Sequence, residues 1–404
     1  MKILVLNSGS SSIKFKLYAT ADWQVLAAGS VSRIGEENGE IGCAWLDGNG
    51  QEQHLNVHEA VADHRAGLEQ IMRRLRESGA LGESSELAAI GHRVVHGGEA
   101  FHAPTVVDDQ VEGVIRDMIP LAPLHNPANL DGITVARSLF PDVPSVAVFD
   151  TAFHQTMPEV AFRYALPASL YREHRVRRYG FHGTSHGYVS RRAAEVLGKP
   201  LDACNLVTLH LGNGASACAV REGRSVDTSM GMTPLEGLIM GTRCGDLDPA
   251  IHFYLMKELG LGTDELDRLL NRESGLVGIC GDNDMREIQR RAAGGDADAE
   301  LAVAMTAHRL KKYLGAYYAE LGRVDAVVFT GGIGENDAAL RARVCSGLEN
   351  MGIRLDPAAN AAPDKGERRI SAADSAVEVL VIPTDEERAI AEQSLEASRA
   401  AAAE

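Results

Sequence analysis

The sequence predicts a mixed α/β fold built in two halves, and three observations carry that prediction. The chain opens on the apolar run Ile3-Leu4-Val5-Leu6, passes through the small polar stretch Asn7-Ser8-Gly9-Ser10-Ser11-Ser12, and enters a segment where Ile13, Phe15 and Leu17 alternate with Lys14 and Lys16. The same layout returns in the second half, where residues 206–211 (LVTLHL) run into Gly212-Asn213-Gly214-Ala215-Ser216 and then residues 217–220. Finally, the strand patterns 326–330 and 377–382 each lead into a helical pattern, at 338–348 and 388–397. Strands alternating with helices indicate an α/β sheet with ligands near the strand ends.

In chain order, residues 1–18 read as strand, turn, strand, and helices are expected at 61–77, 186–197, 249–259 and 299–321. No linker rich in Pro or Ser separates the halves, and the alanine-rich tail 398–404 is expected to fray. The repeated hairpin reads either as an internal duplication or as two ordinary hairpins.

Size and charge bound the answer. With 404 residues the chain holds two or three domains at about 100 to 200 residues each. Its 45% hydrophobic and 24% charged content excludes a mostly disordered chain. The formal charge of -16 argues against a broad surface for nucleic acid or anionic membrane, so an anionic ligand must be held by local groups. The six cysteines lie far apart without C-x-x-C, which argues against a zinc ribbon or disulfide scaffold and for a reducing compartment. The stretch before Asn7 is too short for a signal peptide, and no run approaches the roughly 20 residues of a membrane span. The expectation is a soluble, cytoplasmic protein.

Loops dense in Gly and Ser follow three apolar strands, at 7–12, 212–216 and 331–336. Such loops bring backbone N–H groups and hydroxyls up to phosphate oxygens, and Lys14 could add a point charge. A solvated turn is the alternative for any one of them; three together point to a nucleotide. The common nucleotide signatures are missing: Gly198-Lys199 is followed by Pro200, the GGIG at 331–334 lacks the dinucleotide spacing, and Gly91-His92-Arg93-Val94 is no kinase catalytic loop. A second group of segments sets cationic or polar tips among small residues: GHRVVHGGE at 91–99, PLAPLHNP at 120–127, VFDTAFH at 148–154, YGFHGTSH at 179–186 and MGTRCGDLDP at 240–249. Glycine beside Arg lets a guanidinium reach a carboxylate or phosphate with paired donors. His182 and His186 have zinc-like i, i+4 spacing but lack the H-E-x-x-H glutamate, and Gly214-Ala215-Ser216-Ala217-Cys218 lacks the second glycine of a hydrolase elbow. An anion site is the better reading of both.

These segments, with NSGSSSIKF, HLGNGAS, DTSMGMTPLEG and GGIGEN, occur in the order found in the acetokinase family, which the chain resembles over nearly its whole length. The family lies in the superfamily of acetate and sugar kinases, heat-shock chaperones and actin. The resemblance implies duplicated ribonuclease H-like (actin-like ATPase) domains with mixed sheets flanked by helices, at 1–150 with 385–404 and at 151–384, with ATP in the interdomain cleft. It implies Mg²⁺, with Mn²⁺ as the alternative, near Asn7 and Glu386. ATP would meet Ser10, Ser12, Lys14, His210, Leu211, Gly212, Asn213 and Gly214. The adenosine would meet Asp284, Met285 and Arg286 together with Gly331, Gly332, Ile333, Gly334 and Glu335; Met285 stands where some members carry Phe.

The implied reaction is reversible, direct in-line transfer of the γ-phosphoryl group from ATP to acetate, giving acetyl phosphate and ADP. Arg93 would hold the carboxylate, while His182 and Arg243 would stabilise the transferring group. Asp150 matches a position given a catalytic role. A free carboxylic acid with a pKa of about 4.3 is already ionised at neutral pH, however, so Asp150 is expected to orient an Arg or a metal-bound water rather than act as a base. Val95, Leu124, Phe181 and Pro234 would form the methyl pocket. One methylene is worth about 1–3 kcal/mol, so propionate is the close alternative acceptor and butyrate a more distant one. A nucleotide-gated binding protein of the actin type is the alternative of another class. The resemblance also implies a homodimer, although no stretch of the sequence specifies its interface.

Overall fold

The apolar N-terminal run forms β1 (Lys2–Gly9), and it is continuous because both faces of the strand are covered. Leu4 and Leu6 pack with Leu68, Ile71 and Leu75 of helix His64–Glu77 and with Val135 and Ala136 of helix Asn126–Leu139. Ile3 and Val5 face the other way, against Ile390, Ala391 and Leu395 of the C-terminal helix Glu386–Ala403. β1 lies in an eight-stranded sheet with β2 (Ser12–Ala19), β3 (Val25–Ser32), β4 (Glu40–Leu46), β5 (Glu52–His58), β6 (Leu87–Val94), β7 (Thr105–Val106) and β8 (Ser145–Phe149), in the order β5-β4-β3-β2-β1-β6-β8-β7.

The computed structural model describes residues 1–123 and 125–403. The chain divides into two units, Met1–Ala152 with Asp385–Glu404 and Phe153–Thr384. The second unit holds a six-stranded sheet of β9 (Asn205–Leu211), β10 (Ala215–Arg221), β11 (Arg224–Thr228), β12 (Ala326–Thr330), β13 (Arg368–Arg369) and β14 (Glu378–Val381), in the order β11-β10-β9-β12-β14-β13. Five strands of each sheet repeat one pattern. In the first unit β3, β2 and β1 are antiparallel neighbours, while β1, β6 and β8 run parallel. In the second, β11, β10 and β9 are antiparallel neighbours, while β9, β12 and β14 run parallel. The two hairpins are therefore equivalent members of duplicated mixed sheets, each flanked by helices.

Local expectations need correction at four places. The loop expected at 7–12 is a two-residue turn, Ser10-Ser11: Asn7, Ser8 and Gly9 continue the strand opposite Lys14, Ile13 and Ser12. Small polar residues fit the ladder, so most of these backbone groups are already bonded. The segment 331–336 is no loop but a short helix, Gly331–Asn336. Gly331 takes φ +76°, and a Cβ there would stand 2.7 Å from the Leu211 carbonyl oxygen. The helix expected from 186 begins three residues earlier, at Gly183. The tail expected to fray is helical through Ala403, with Leu395 and Ser398 buried beneath an alanine-rich stretch of high helix propensity. Among the described residues no helix is long and apolar enough to cross a membrane.

Candidate active site

In the first unit the charged residues converge where strands end. Arg93 is the penultimate residue of β6, Asp150 follows β8, and Glu386 opens the C-terminal helix. Asp150 is 1% exposed and receives two hydrogen bonds on Oδ2, from Arg93 Nη2 at 2.7 Å and Nε at 3.2 Å. Arg93 Nε also lies 3.9 Å from Glu386. The Asp150 charge raises the Arg93 pKa further, so the guanidinium stays charged. Glu386 is less well balanced. Burial pushes its carboxyl up to about 7, Arg93 opposes that, and the nearby Asp150, Glu387 and Asp385 charges add to it. Lys16 reaches Asp385 at 3.6 Å and Glu387 at 3.4 Å. A divalent metal would discharge carboxylates that outnumber their cations, although among the described residues no three His, Cys, Asp or Glu side chains are grouped to hold one.

Helix Asn126–Leu139 fixes the neighbouring backbone through two buried amides. Asn129 Nδ2 donates to the Ser8 carbonyl at 2.8 Å, and its Oδ1 accepts from Val95 N–H at 3.0 Å. Asn126 both accepts from His96 N–H at 3.1 Å and donates to its carbonyl at 3.0 Å. Asn126 falls in the segment 120–127 singled out in the sequence, whereas Asn129 lies beyond it. Their signal was two asparagines spaced i, i+3 at a helix start, a pattern with a cap reading as well. Ser10, Ser12 and Lys14 lie on the β1–β2 hairpin.

The second unit carries the other candidates. His182 adopts φ +56° at the start of helix Gly183–Leu197, an unusual left-handed conformation for a residue with a Cβ. Its ring stacks on His210 with centroids 4.2 Å apart. Gly214 marks where three groups meet: a Cβ built there would stand 3.5 Å from His182 Nε2 and 3.6 Å from Arg243 Nη1. Arg243 Nη1 donates to the Pro234 carbonyl at 3.3 Å, and among the described residues the guanidinium forms no ion pair. Burial lowers its pKa, and among the described residues no carboxylate counters that effect. A desolvated guanidinium without an anion, beside a histidine edge and a glycine that leaves room, is an anion site in waiting.

Gly212, Asn213, Asp284, Met285, Arg286, Gly332 and Ile333 line one cavity of about 760 Å³, within the usual range for small-molecule sites. Asn336, the last residue of the GGIGEN segment, joins them, as do Asn283, Gln289 and Asp337, which no sequence motif announced. Gln289 is tied to Asp337 at 2.9 Å. Leu211 lies in a smaller adjoining pocket that shares Gly212, Met285 and Ile333. The structure places the other expected nucleotide residues elsewhere. Gly331 packs on Leu211, the Gly334 carbonyl accepts from Arg341 at 2.8 Å, and Glu335 Oε1 accepts from Thr384 N–H at 3.4 Å. Of the expected methyl-pocket residues, Val95 belongs to the first unit and Phe181 and Pro234 to the second; Leu124 lies outside the described residues.

The sequence matches the family model described as the acetokinase family over residues 2–392. An acetate kinase of Syntrophobacter fumaroxidans is 56% identical over 406 residues, spanning 99% of this chain and 98% of its own. Among solved structures, an acetate kinase of Porphyromonas gingivalis is similar with a TM-score of 0.92 at 44% identity, over 98% of this chain and 99% of its own. A propionate kinase of Francisella tularensis gives 0.91 at 42% identity over the same shares.

Proposed function

The chain belongs to the acetokinase family, and from that premise we propose that it transfers the γ-phosphoryl group of ATP to acetate, reversibly, giving acetyl phosphate and ADP. A carboxylate oxygen of acetate attacks the γ-phosphorus in line as the bond to the β–γ bridging oxygen breaks, and ADP leaves with that electron pair. Charge spreads over the equatorial oxygens in such a transition state, so the protein's task is to position and to neutralise. Arg243 supplies the fixed positive charge and His182 an additional donor. The observation that carries this reading is the desolvated Arg243 guanidinium converging with His182 Nε2 on Gly214, with no carboxylate paired to it among the described residues.

Arg93 holds the acetate carboxylate, and Asp150 orients Arg93. Their two-pronged contact supports an orienting role, and an acid already ionised needs no base. Asn7 and Glu386 would hold Mg²⁺, which when bound neutralises phosphate oxygens. The cavity at Gly212, Asp284–Arg286 and Ile333 receives the adenosine. The enzyme acts in the cytoplasm, a reading that its six free thiols support. It works as a homodimer whose seam includes helix Ala250–Glu258.

The test is phosphoryl transfer from Mg-ATP to acetate, propionate and butyrate in parallel, with the acyl phosphate trapped by hydroxylamine. Highest kcat/KM with acetate is expected. A preference for propionate would move the acceptor by one methylene, and no acyl phosphate from any acid would overturn the kinase reading.

A further inference from the structure

A polar layer lies buried between helix Gly183–Leu197 and the sheet of the second unit. β9 and β10 pair with Ser216 opposite His210 and Cys218 opposite Thr208, so these four side chains share one face of an otherwise apolar hairpin. The helix sets His182 and His186 against that face. Thr208 Oγ1 lies 2.7 Å from His186 Nδ1, His186 Nε2 lies 2.8 Å from Ser216 Oγ, and the same Ser216 Oγ lies 2.9 Å from His182 Nδ1. Thr208, His186 and Ser216 are each 0% exposed.

We propose that Thr208, His186 and Ser216 form a one-way hydrogen-bond chain that holds His182 as a neutral imidazole with its proton on Nε2. The proposal rests on the reading of His182 as a donor to the transferring phosphoryl group, and it specifies the form of that donor.

Counting protons gives the direction. A hydroxyl carries one proton, and a neutral imidazole carries one N–H and one bare nitrogen. Among the described residues Thr208 Oγ1 has no hydrogen-bond partner other than His186 Nδ1. Unless its proton goes to that nitrogen, it is buried with no acceptor, which is the costly way to leave a polar group. Donation by Thr208 leaves His186 protonated on Nε2, and that N–H donates to Ser216 Oγ. The Ser216 proton then has only His182 Nδ1 to meet. His182 must present a bare Nδ1 inward, and its own proton sits on Nε2, the atom beside Arg243 Nη1 at Gly214.

Running the chain backwards strands the Thr208 proton. An imidazolium at His182 would send a second N–H to Ser216 and strand the serine proton instead. The Arg243 guanidinium also disfavours a second cation beside it. His210 stacks on His182, the His154 ring lies 5.6 Å from that of His186, and Arg243 is close by. Cys218 Sγ lies 3.9 Å from His154 Nδ1 and brings no charge, because burial pushes its thiol pKa far up. Burial also keeps His186 neutral.

Arg243 thus supplies the charge and His182 a donor that does not come and go with pH. A neutral Nε2–H cannot pass its proton to a phosphate oxygen without leaving an imidazolate, so the hydrogen bond lasts through the transfer. Thr208, His186 and Ser216 are positioning residues acting through His182.

The decisive measurement is long-range ¹H–¹⁵N NMR of the full-length protein labelled at histidine nitrogen, with the His182 signals assigned by their loss in His182→Asn. A protonated Nε2 and bare Nδ1, unchanged from pH 6 to 8, are expected. A proton on Nδ1, or a ring that titrates to imidazolium in that range, overturns the proposal. Thr208→Val removes the first donor at nearly constant shape. It should give His182 a mixture of tautomers and lower kcat about tenfold or more, with KM for ATP within about twofold. Thr208→Ser should restore the single tautomer. An unchanged tautomer in Thr208→Val refutes the chain, and should that variant not fold, the spectrum of the unaltered protein still decides. If the expected tautomer is found in a protein that makes no acyl phosphate, the chain stands and the kinase reading falls; acyl phosphate made with the opposite tautomer does the reverse.

Discussion

Arg243 loses water on folding without gaining a carboxylate among the described residues, and that imbalance is the basis of its proposed role. A group that stabilises charge developing in the transition state should affect kcat more than KM. Arg243→Ala is expected to lower kcat by about 10² to 10³ while KM for acetate changes little. Arg243→Lys should recover only a small part, because an ammonium lacks the planar pair of donors. Steady-state kinetics on both variants checks this, and a rise in KM for acetate with kcat intact would assign Arg243 to ground-state binding instead. The buried histidines make a separate prediction. Burial pushes His154 down to about 4 and His92 down to about 3, from an ordinary value of 6.5. Between about 6.5 and those values the unfolded chain binds protons that the folded protein refuses, so stability falls as pH falls through that window. The full shifts are worth about 3 kcal/mol for His154 and about 5 kcal/mol for His92. The urea midpoint should drop steadily from pH 7 to pH 5, and His154→Gln should flatten the slope; a midpoint independent of pH in the unaltered protein would contradict this.

Between elements, the amides of helix Asn126–Leu139 do what the serine-rich β1–β2 hairpin cannot do alone. Asn129 joins the end of β1 to the segment after β6 by bonding Ser8 and Val95. Asn129→Ala would leave two buried backbone groups without partners, at about 1 to 3 kcal/mol each, so a loss of roughly 2 to 6 kcal/mol in urea unfolding is expected. A loss below about 1 kcal/mol would mean that water replaces the amide. The elements that were legible in the sequence share a cause. Residues 3–6 of β1 and 326–329 of β12 are apolar without interruption because helices or neighbouring strands cover them, Thr208 and His210 interrupt β9, and the hairpin pattern repeats because the sheets do. The ends were less legible. Asn7 to Gly9 look like loop residues, yet the ladder accepts them, and Gly331 turns an apparent loop into a helix by taking a conformation open to glycine. Of the site, segments announced by glycine and arginine could be picked out, and several of them line one cavity. Asn129 and Thr208 could not, and Ser216 showed only as part of a small-residue loop, because a single polar residue in an apolar alternation gains meaning only from a partner distant in sequence.

Across the whole molecule, helix Ala250–Glu258 is, among the described residues, the longest of the α-helices that bury none of their residues. Phe253 and Tyr254 are each 62% exposed, and Leu259, just beyond its end, is 63% exposed. Large apolar side chains gathered on one short helix mark an association surface, and a second copy of the chain is the occupant proposed for it. The sequence reading placed this helix without seeing its role, because it is apolar around most of its circumference and offers no amphipathic stripe. Two copies would each bring a formal charge of -16, so their long-range interaction is repulsive while the seam is apolar. Added salt screens the repulsion and leaves the burial intact. Sedimentation equilibrium should therefore show a dimer that tightens between about 20 and 200 mM salt, where the Debye length shrinks to within about 10 Å. Phe253→Ser with Tyr254→Ser should yield a folded monomer. A dimer that loosens with salt would point to an ionic seam elsewhere on the surface, and a double variant that stays dimeric would remove this helix from the interface.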